Sequence, residues 1–483
     1  MSQKNIQSRT PAGLAPMGTE SAQTVVSRRD WLKLGSCGMG SLALASLASE
    51  SSMAGPLSVR SPHFAPKAKR VIFLFMNGGP SQHDTLDYKP KLYTDGGKKG
   101  KNKQNLLAPL WNFSQHGQSG LWISELFPHL AKHADRLCVI NSMQTDSRAH
   151  PLAIPLLHTG SFQFIRPSMG AWVLYGLGST NANLPGYITI KPTRTFGGPS
   201  NYGSAFLPSA YQATRIGWEG RPVKDAKISH LTSHEVMPGV SQGVLHLTQT
   251  LNQQLLQRSK NHLDIKGNTD IQGVIDSLDL SSHMEQSVPE VMDLSKESED
   301  TLSMYGIGQE RTDDFGRQCL TARRLVEAGV RFVELANSGW DQHSGLDTVL
   351  PKRCQEVDQP IAALLTDLQQ RGLLDDTLVF WGGEFGRQPE TQVLSGKVAL
   401  GRDHNAAGYT VWMAGGGARG GLAYGATDEY GYEAVEKPVH LHDLHATMLH
   451  MLGLDHLRLT YSYAGRDFRL TDIHGNVVHD LII

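Results

Sequence analysis

Residues 70–76 read Arg70-Val71-Ile72-Phe73-Leu74-Phe75-Met76, an apolar run halted by Asn77-Gly78-Gly79-Pro80. A strand that is apolar at successive positions buries both faces, as strands do in parallel sheets lying between helices. Runs of the same kind occupy Leu137–Ile140, Tyr187–Ile190, Val330–Leu335, Thr377–Trp381 and Tyr409–Ala414. Between them, helical spacing puts Phe315, Cys319, Ala322 and Val326 on one stripe, which ends near Gly329. Val357, Ile361, Leu364, Leu365 and Leu368 form another, which ends at Gly372. Strands alternating with helices predict a doubly wound α/β layer fold. The ligand crevice of such a sheet lies beyond the carboxyl ends of its strands.

Residues 191–310 break this rhythm. They begin rich in Gly, Pro, Ser and Gln and continue as a polar stretch compatible with helix, which predicts an insertion or cap over the sheet. No repeat with a period of 20–50 residues is visible. From Tyr461 onward the pattern predicts a terminal hairpin, with strands at Phe468–Thr471 and Val477-Val478 around a turn at Asp472–Asn476.

The first 54 residues differ again. Ser27-Arg28-Arg29-Asp30-Trp31-Leu32-Lys33 precedes a mildly apolar stretch from Leu34 to Ala48. That is the twin-arginine export pattern, an address read by a receptor. The stretch is too short and too rich in Gly and Ser to span a bilayer. The expectation is a leader over residues 1–54, cleaved after Ala48 or Ala54, and an α/β domain over 55–483. The export machinery would be a partner, the destination periplasmic or extracytoplasmic, and the mature form free of a transmembrane span.

Composition changes the picture in two places. The 45 basic and 46 acidic side chains leave a formal charge of −1, without the basic surplus that a nucleic-acid grip requires. The 21 histidines make metal or acid–base chemistry worth seeking. Four cysteines are too few for a disulfide scaffold. Cys138, Cys319 and Cys354 lie in apolar or helical contexts that suit buried thiols.

The polar groups that could carry chemistry follow strands. They are Asn77 through Thr85, including Ser81, His83 and Asp84; Ser338 through His343, including Asp341; and Gly382 through Arg387, including Glu384. Gly401-Arg402-Asp403-His404-Asn405 precedes the last main strand. Carboxylates and imidazoles meeting at one sheet edge form the donor set a divalent metal takes. Gly415 through Gly420 formally contains a GxGxxG pattern, but Leu422-Ala423-Tyr424-Gly425 follows where a dinucleotide site needs a helix, so a glycine turn is expected. His440, His442 and His445 stand where a helix begins; the spacing of His442 and His445 would allow them as ligands, but capping and solvent exposure are expected of the group.

The motifs GGPS-x-HDT, SGWD-x-H, WGGEFGR-x-P, GRDHN, GGGxRGG and GRDFRLTDxHGxVV, in that order from about Lys69 to the C-terminus, resemble the DUF1501 family. That family comprises exported proteins grouped with the alkaline phosphatase and sulfatase superfamily. The resemblance implies an alkaline phosphatase-like mixed, mostly parallel sheet between helix layers, with an inserted cap region. It also implies one or two divalent metals (zinc, calcium or manganese) at the strand ends and a substrate that is a small-molecule or polymeric anionic ester. Asp341, His343 and His404 correspond to ligands of one metal. Glu384 stands for a ligand of a second, with Asn77, Asp84 and His83 near it, but Phe385 takes the place of that site's histidine. Counting back from Thr159-Gly160 puts His150 at the nucleophile position, with Ser147 and Ser81 as substitutes. Arg148 or Arg387 would hold the anionic group. The implied activity is metal-dependent hydrolysis of phosphate or sulfate esters. The alternative is an exported, non-catalytic binding or structural protein that keeps the fold.

Overall fold

Side-chain alternation along β1 (Arg70–Asn77) decides the architecture. In the computed structural model, Ile72, Leu74 and Met76 enter one hydrophobic core, while Val71, Phe73 and Phe75 enter another. Successive side chains of a strand point to opposite faces, so an unbroken apolar run requires cover on both. The structure describes residues 56–226 and 287–483, with Leu247, Thr250, Leu251, Gln254 and Met284 between them. The leader expected over 1–54 and most of the middle of the 191–310 segment lie outside the described residues.

The remaining strands of the main sheet are β2 (Cys138–Gln144), β3 (Tyr187–Ile190), β4 (Thr214–Ile216), β5 (Phe332–Ser338), β6 (Thr377–Gly382), β7 (Tyr409–Ala414), β8 (Leu422–Tyr424) and β9 (Val439–His440). Their spatial order is β8-β2-β7-β6-β1-β5-β3-β4, with β9 also paired to β2. β1 is parallel to β5 and β6, β3 is parallel to β4 and β5, and β2 is parallel to β8 and β9. Only β7 runs against its neighbours, β2 and β6. This is a mixed, mostly parallel sheet. The register sets Asn77 opposite Ser338 and Phe75 opposite Gly382, so the carboxyl ends of β1, β5 and β6 share one edge.

The principal helices are α1 (His150–Thr159), α2 (Met169–Leu177), α3 (Asp313–Glu327), α4 (Leu346–Gln370) and α5 (Leu441–Met451). Phe315, Cys319, Val357, Ile361 and Leu364 of α3 and α4 pack with Ile72 and Leu74. Ile154, Leu157, Trp172, Leu444 and Leu449 of α1, α2 and α5 pack with Val71 and Phe73. Cys138, Cys319 and Cys354 are buried free thiols. Among the described residues no helix is long and apolar enough to cross a membrane.

Several local expectations change. Thr214–Ile216, inside the segment read as an insertion, adds a parallel edge strand beside β3; three residues are too few to show a period. The terminal hairpin pairs Tyr461–Tyr463 with Arg466–Phe468. Ala464 and Gly465, at φ 50° and 80°, supply its tight turn, whereas Val478 N–H donates to Thr447 Oγ1 instead of a strand partner. His440 does cap α5, its Nδ1 accepting from His442 N–H while Asp443 accepts from His440 N–H. His442 and His445, expected in solvent, are buried, because the helix turns them toward α1 and the C-terminal segment: His445 Nε2 contacts Leu157 O at 2.8 Å and His442 stacks on His474. Gly415 and Gly416 make the turn from β7 into β8; a Cβ at Gly415 would lie 2.4 Å from Leu374 O.

Candidate metal centre

The carboxylate of Asp341, just beyond β5, gathers the polar groups of this edge. His343 Nε2 and His404 Nε2 each lie 3.0 Å from its Oδ1, and Arg387 Nη2 donates to the same atom at 2.6 Å. His150 Nε2 lies 3.3 Å from Oδ2. The backbone explains the convergence. His150 is the first residue of α1, whose start is set by extended Ala149 and by a proline in the first turn. His404 is drawn in by a short antiparallel pairing that sets it opposite Arg387. Gly78, at φ 121°, lets the chain after β1 pass so close that a Cβ there would lie 2.6 Å from Asp341 N.

Both inner imidazoles are oriented from behind. His150 Nδ1 lies 2.6 Å from Glu384 Oε1, and the Glu384 carboxylate accepts from Gly78 N–H at 3.1 and 3.2 Å. His404 Nδ1 lies 2.7 Å from Arg148 O. A hydrogen bond at one ring nitrogen fixes the tautomer and leaves the other nitrogen's lone pair free for a metal. His150 Nε2 is indeed buried without a hydrogen-bond partner. Among the described residues, His150, Asp341 and His404 present ligand atoms within 4.8 Å of one another. Their donors fit a divalent ion.

The carboxylate and the imidazoles shift one another's ionisation. Burial raises the Asp341 carboxyl, but the imidazoles of His150, His343 and His404 beside it and the Arg387 charge outweigh it, holding the group well below the usual carboxylate range. Burial lowers the His150 imidazole, and Asp341 and Glu384 outweigh that too, pushing it up to about 9. His404 stays below its ordinary value because burial dominates, with Arg387 adding repulsion.

Asp341, His343 and His404 therefore meet, and His150 joins them as a fourth polar group. Glu384 stands behind His150 and contacts no other imidazole of the cluster. Three residues associated with a second metal are engaged elsewhere. Asp84 is fully buried against the Arg402 guanidinium, at 2.8 and 3.2 Å, with Ser81 Oγ on the same carboxylate. His83 Nε2 lies 2.8 Å from Arg387 O, and burial lowers its imidazole strongly. Asn77 Nδ2 donates to Ser338 Oγ at 3.1 Å. Phe385, 1 % exposed, packs on the rings of His150 and His404 at 4.8 and 4.4 Å and fills the space beside them.

The two arginines part company. Arg387 is buried and donates to Gly78 O, Gly79 O, Trp340 O, Arg402 O and Asp341. A guanidinium so occupied ties loops together and has no fork left for a substrate anion. Arg148 is exposed and contributes its carbonyl to His404. Ser147 Oγ accepts from Ala149 N–H at 3.1 Å in the turn before α1. Sequence reasoning missed Phe196, whose ring stacks on His150 with centroids 5.5 Å apart and planes at 15°; nothing in its Gly- and Pro-rich neighbourhood marks it.

The model of the family described as "Protein of unknown function (DUF1501)" matches residues 68–482. The chain belongs to the DUF1501 family. No curated protein matches the sequence. Solved structures similar to this DUF1501 chain include the PsFucS1 sulfatase from Pseudoalteromonas sp., at 13 % identity over 87 % of this chain and 72 % of that one, with a TM-score of 0.34. The lipoteichoic acid synthase LtaP from Listeria monocytogenes has 10 % identity over 86 % and 78 %, with a TM-score of 0.35. Alkaline phosphatase from the Antarctic bacterium TAB5 has 9 % identity over 73 % and 92 %, with a TM-score of 0.30. At such scores the likeness says nothing about chemistry, and the DUF1501 site stands on its own residues.

Proposed function

We propose that this DUF1501 chain is an exported, metal-dependent hydrolase of phosphate or sulfate esters with a single-metal site. The observation that carries the reading is the convergence of His150 Nε2, His404 Nε2 and the Asp341 carboxylate, with Glu384 and Arg148 O holding the opposite nitrogens. Imidazoles with one carboxylate suit zinc or manganese better than calcium, which takes oxygen ligands. A bound divalent ion would polarise an ester oxygen and lower the pKa of a water.

The chain's own groups supply the rest. His150 Nδ1 is held by Glu384 and its Nε2, without a hydrogen-bond partner, faces the cluster beside Asp341, so in this reading it serves as a ligand and not as the nucleophile. The positive end of the α1 dipole favours an anion near its start, although Leu152 and Ala153 N–H there donate to Ala149 O. Arg148, exposed in the preceding turn, is the guanidinium free to hold the anionic group, and Ser147 is the hydroxyl in that turn. Export by the twin-arginine route rests on Arg28-Arg29, and it suits a protein that folds around its metal before translocation.

Phe385 favours a second reading. Its ring on His150 and His404 closes the side where a second metal would sit, as in a protein that binds without turning over. Elemental analysis of the purified protein and of His404→Ala, followed by an aryl phosphate, diester and sulfate panel, separates the two. The hydrolase reading expects about one metal per chain, lost in His404→Ala, and turnover above an Asp341→Ala control. Stoichiometric metal without turnover supports the binding protein, and metal indifferent to His404→Ala removes the site altogether.

A further inference from the structure

The loop that leaves β3 holds an aromatic side chain over the metal cluster in a conformation that burial does not explain. Phe196 stacks nearly parallel to the His150 imidazole, yet it is 42 % exposed. One face lies on the imidazole and much of the ring meets water. Its φ of 51° is in the left-handed region, which a bulky side chain adopts only under constraint.

The constraint is visible. Asn201, 2 % exposed, donates from Nδ2 to Phe196 O at 3.1 Å. The next residue, Gly197, has φ 99°, and a Cβ on it would lie 2.3 Å from Asn201 Oδ1. Asn201 and Gly197 thus hold Phe196 in place from beneath. Strain kept at a half-exposed ring beside a candidate site is more than core packing accounts for. The other ring on His150, Phe385, is buried and has no face to offer. The Asp341 side chain, 3.3 Å from His150 Nε2, is 41 % exposed, so the cluster opens to solvent beside the imidazole on which Phe196 stacks.

We propose that Phe196 is a specificity-determining wall of this site, stacking against the ring of the ester's leaving group. The inference rests on the ester-hydrolase reading and adds a substrate class: esters whose leaving group presents a flat, apolar ring face. Aryl rings and the apolar face of a pyranose share that chemistry. The ring would lie along Phe196 while the anionic group reaches the bound metal and Arg148.

Titration calorimetry on the zinc-loaded full chain tests it, with inorganic phosphate, methylphosphonate, phenylphosphonate and glucose 6-phosphate as probes. The expected result is binding of phenylphosphonate or glucose 6-phosphate about tenfold tighter than methylphosphonate; whichever shows the gain identifies the ring. The ring-to-methyl ratio falls to about one in Phe196→Ala and persists in Phe196→Tyr. A ratio of one in the unaltered chain, or a gain that survives Phe196→Ala, overturns the proposal and leaves the ester site standing. Failure of every probe to bind, inorganic phosphate included, overturns the ester site and the proposal together.

Discussion

The Glu384 carboxylate holds the His150 imidazole by its far nitrogen, Oε1 to Nδ1 at 2.6 Å, while two hydrogen bonds from Gly78 N–H hold the carboxylate. The two residues lie 234 positions apart. A fully buried carboxylate behind a metal-facing histidine fixes ring orientation and raises ligand basicity. Glu384→Gln keeps the shape and removes the charge. It is expected to weaken zinc affinity by about 10- to 100-fold, measured by chelator competition, with the fold retained by circular dichroism. Unchanged affinity would mean that His150 does not bind the metal through Nε2.

Asp84 and Arg402 make a buried ion pair in which neither side chain is exposed. Removing one partner strands the other charge, so Asp84→Ala is expected to cost about 3–5 kcal/mol in stability. Because Asp84 stands apart from the His150 cluster, metal content should stay at its unaltered value. Denaturant unfolding and elemental analysis of the same preparation check both halves. A drop in metal content with stability intact would return Asp84 to a ligand role.

Acid should destabilise the protein in a defined window. Burial lowers His133 and His442 to about 4 and His445 to about 3, against about 6.5 in an unfolded chain. Below pH 6.5 the unfolded state takes up protons that these native imidazoles refuse, so stability falls from about pH 6.5 toward pH 4. Each group contributes up to about 1.4 kcal/mol per pH unit. His150, a raised group, acts elsewhere: its stabilisation is complete below the unfolded value and fades as pH rises through about 9. Urea unfolding at pH 7 and pH 5 should show the loss, with a shallower slope in His445→Gln. Equal stability at both values would show that the three imidazoles titrate normally.

Export has its own test. Replacing Arg28 and Arg29 with lysine should keep the full-length precursor in the cytoplasm of a bacterium with an active twin-arginine pathway, whereas the unaltered chain appears in the periplasm with a shortened N-terminus. Fractionation and N-terminal sequencing read the outcome. Equal distribution of the two would assign the address to other residues.

Much of this was legible along the chain. Val71 to Met76 are apolar without a break, and only a strand covered on both faces buries six such side chains in succession, so the layered sheet follows from local pattern. Parallel strands send their carboxyl ends to one edge, so Asp341 and Glu384 could be assigned to that edge from their places after β5 and β6. What the linear pattern leaves open is who meets whom. Glu384 and Asp84 are both acidic residues in loops after strands. One meets an imidazole and the Gly78 N–H, shared between its two oxygens; the other meets a guanidinium 318 residues away. Arg387 and Arg148 look alike as anion holders until one is seen with its donors taken by carbonyls and Asp341. Periodicity decides the side of an element that is buried, because it acts between neighbours in the chain. Hydrogen-bond partners depend on distances across the sheet edge to within a few tenths of an ångström, and only the assembled tertiary structure sets those.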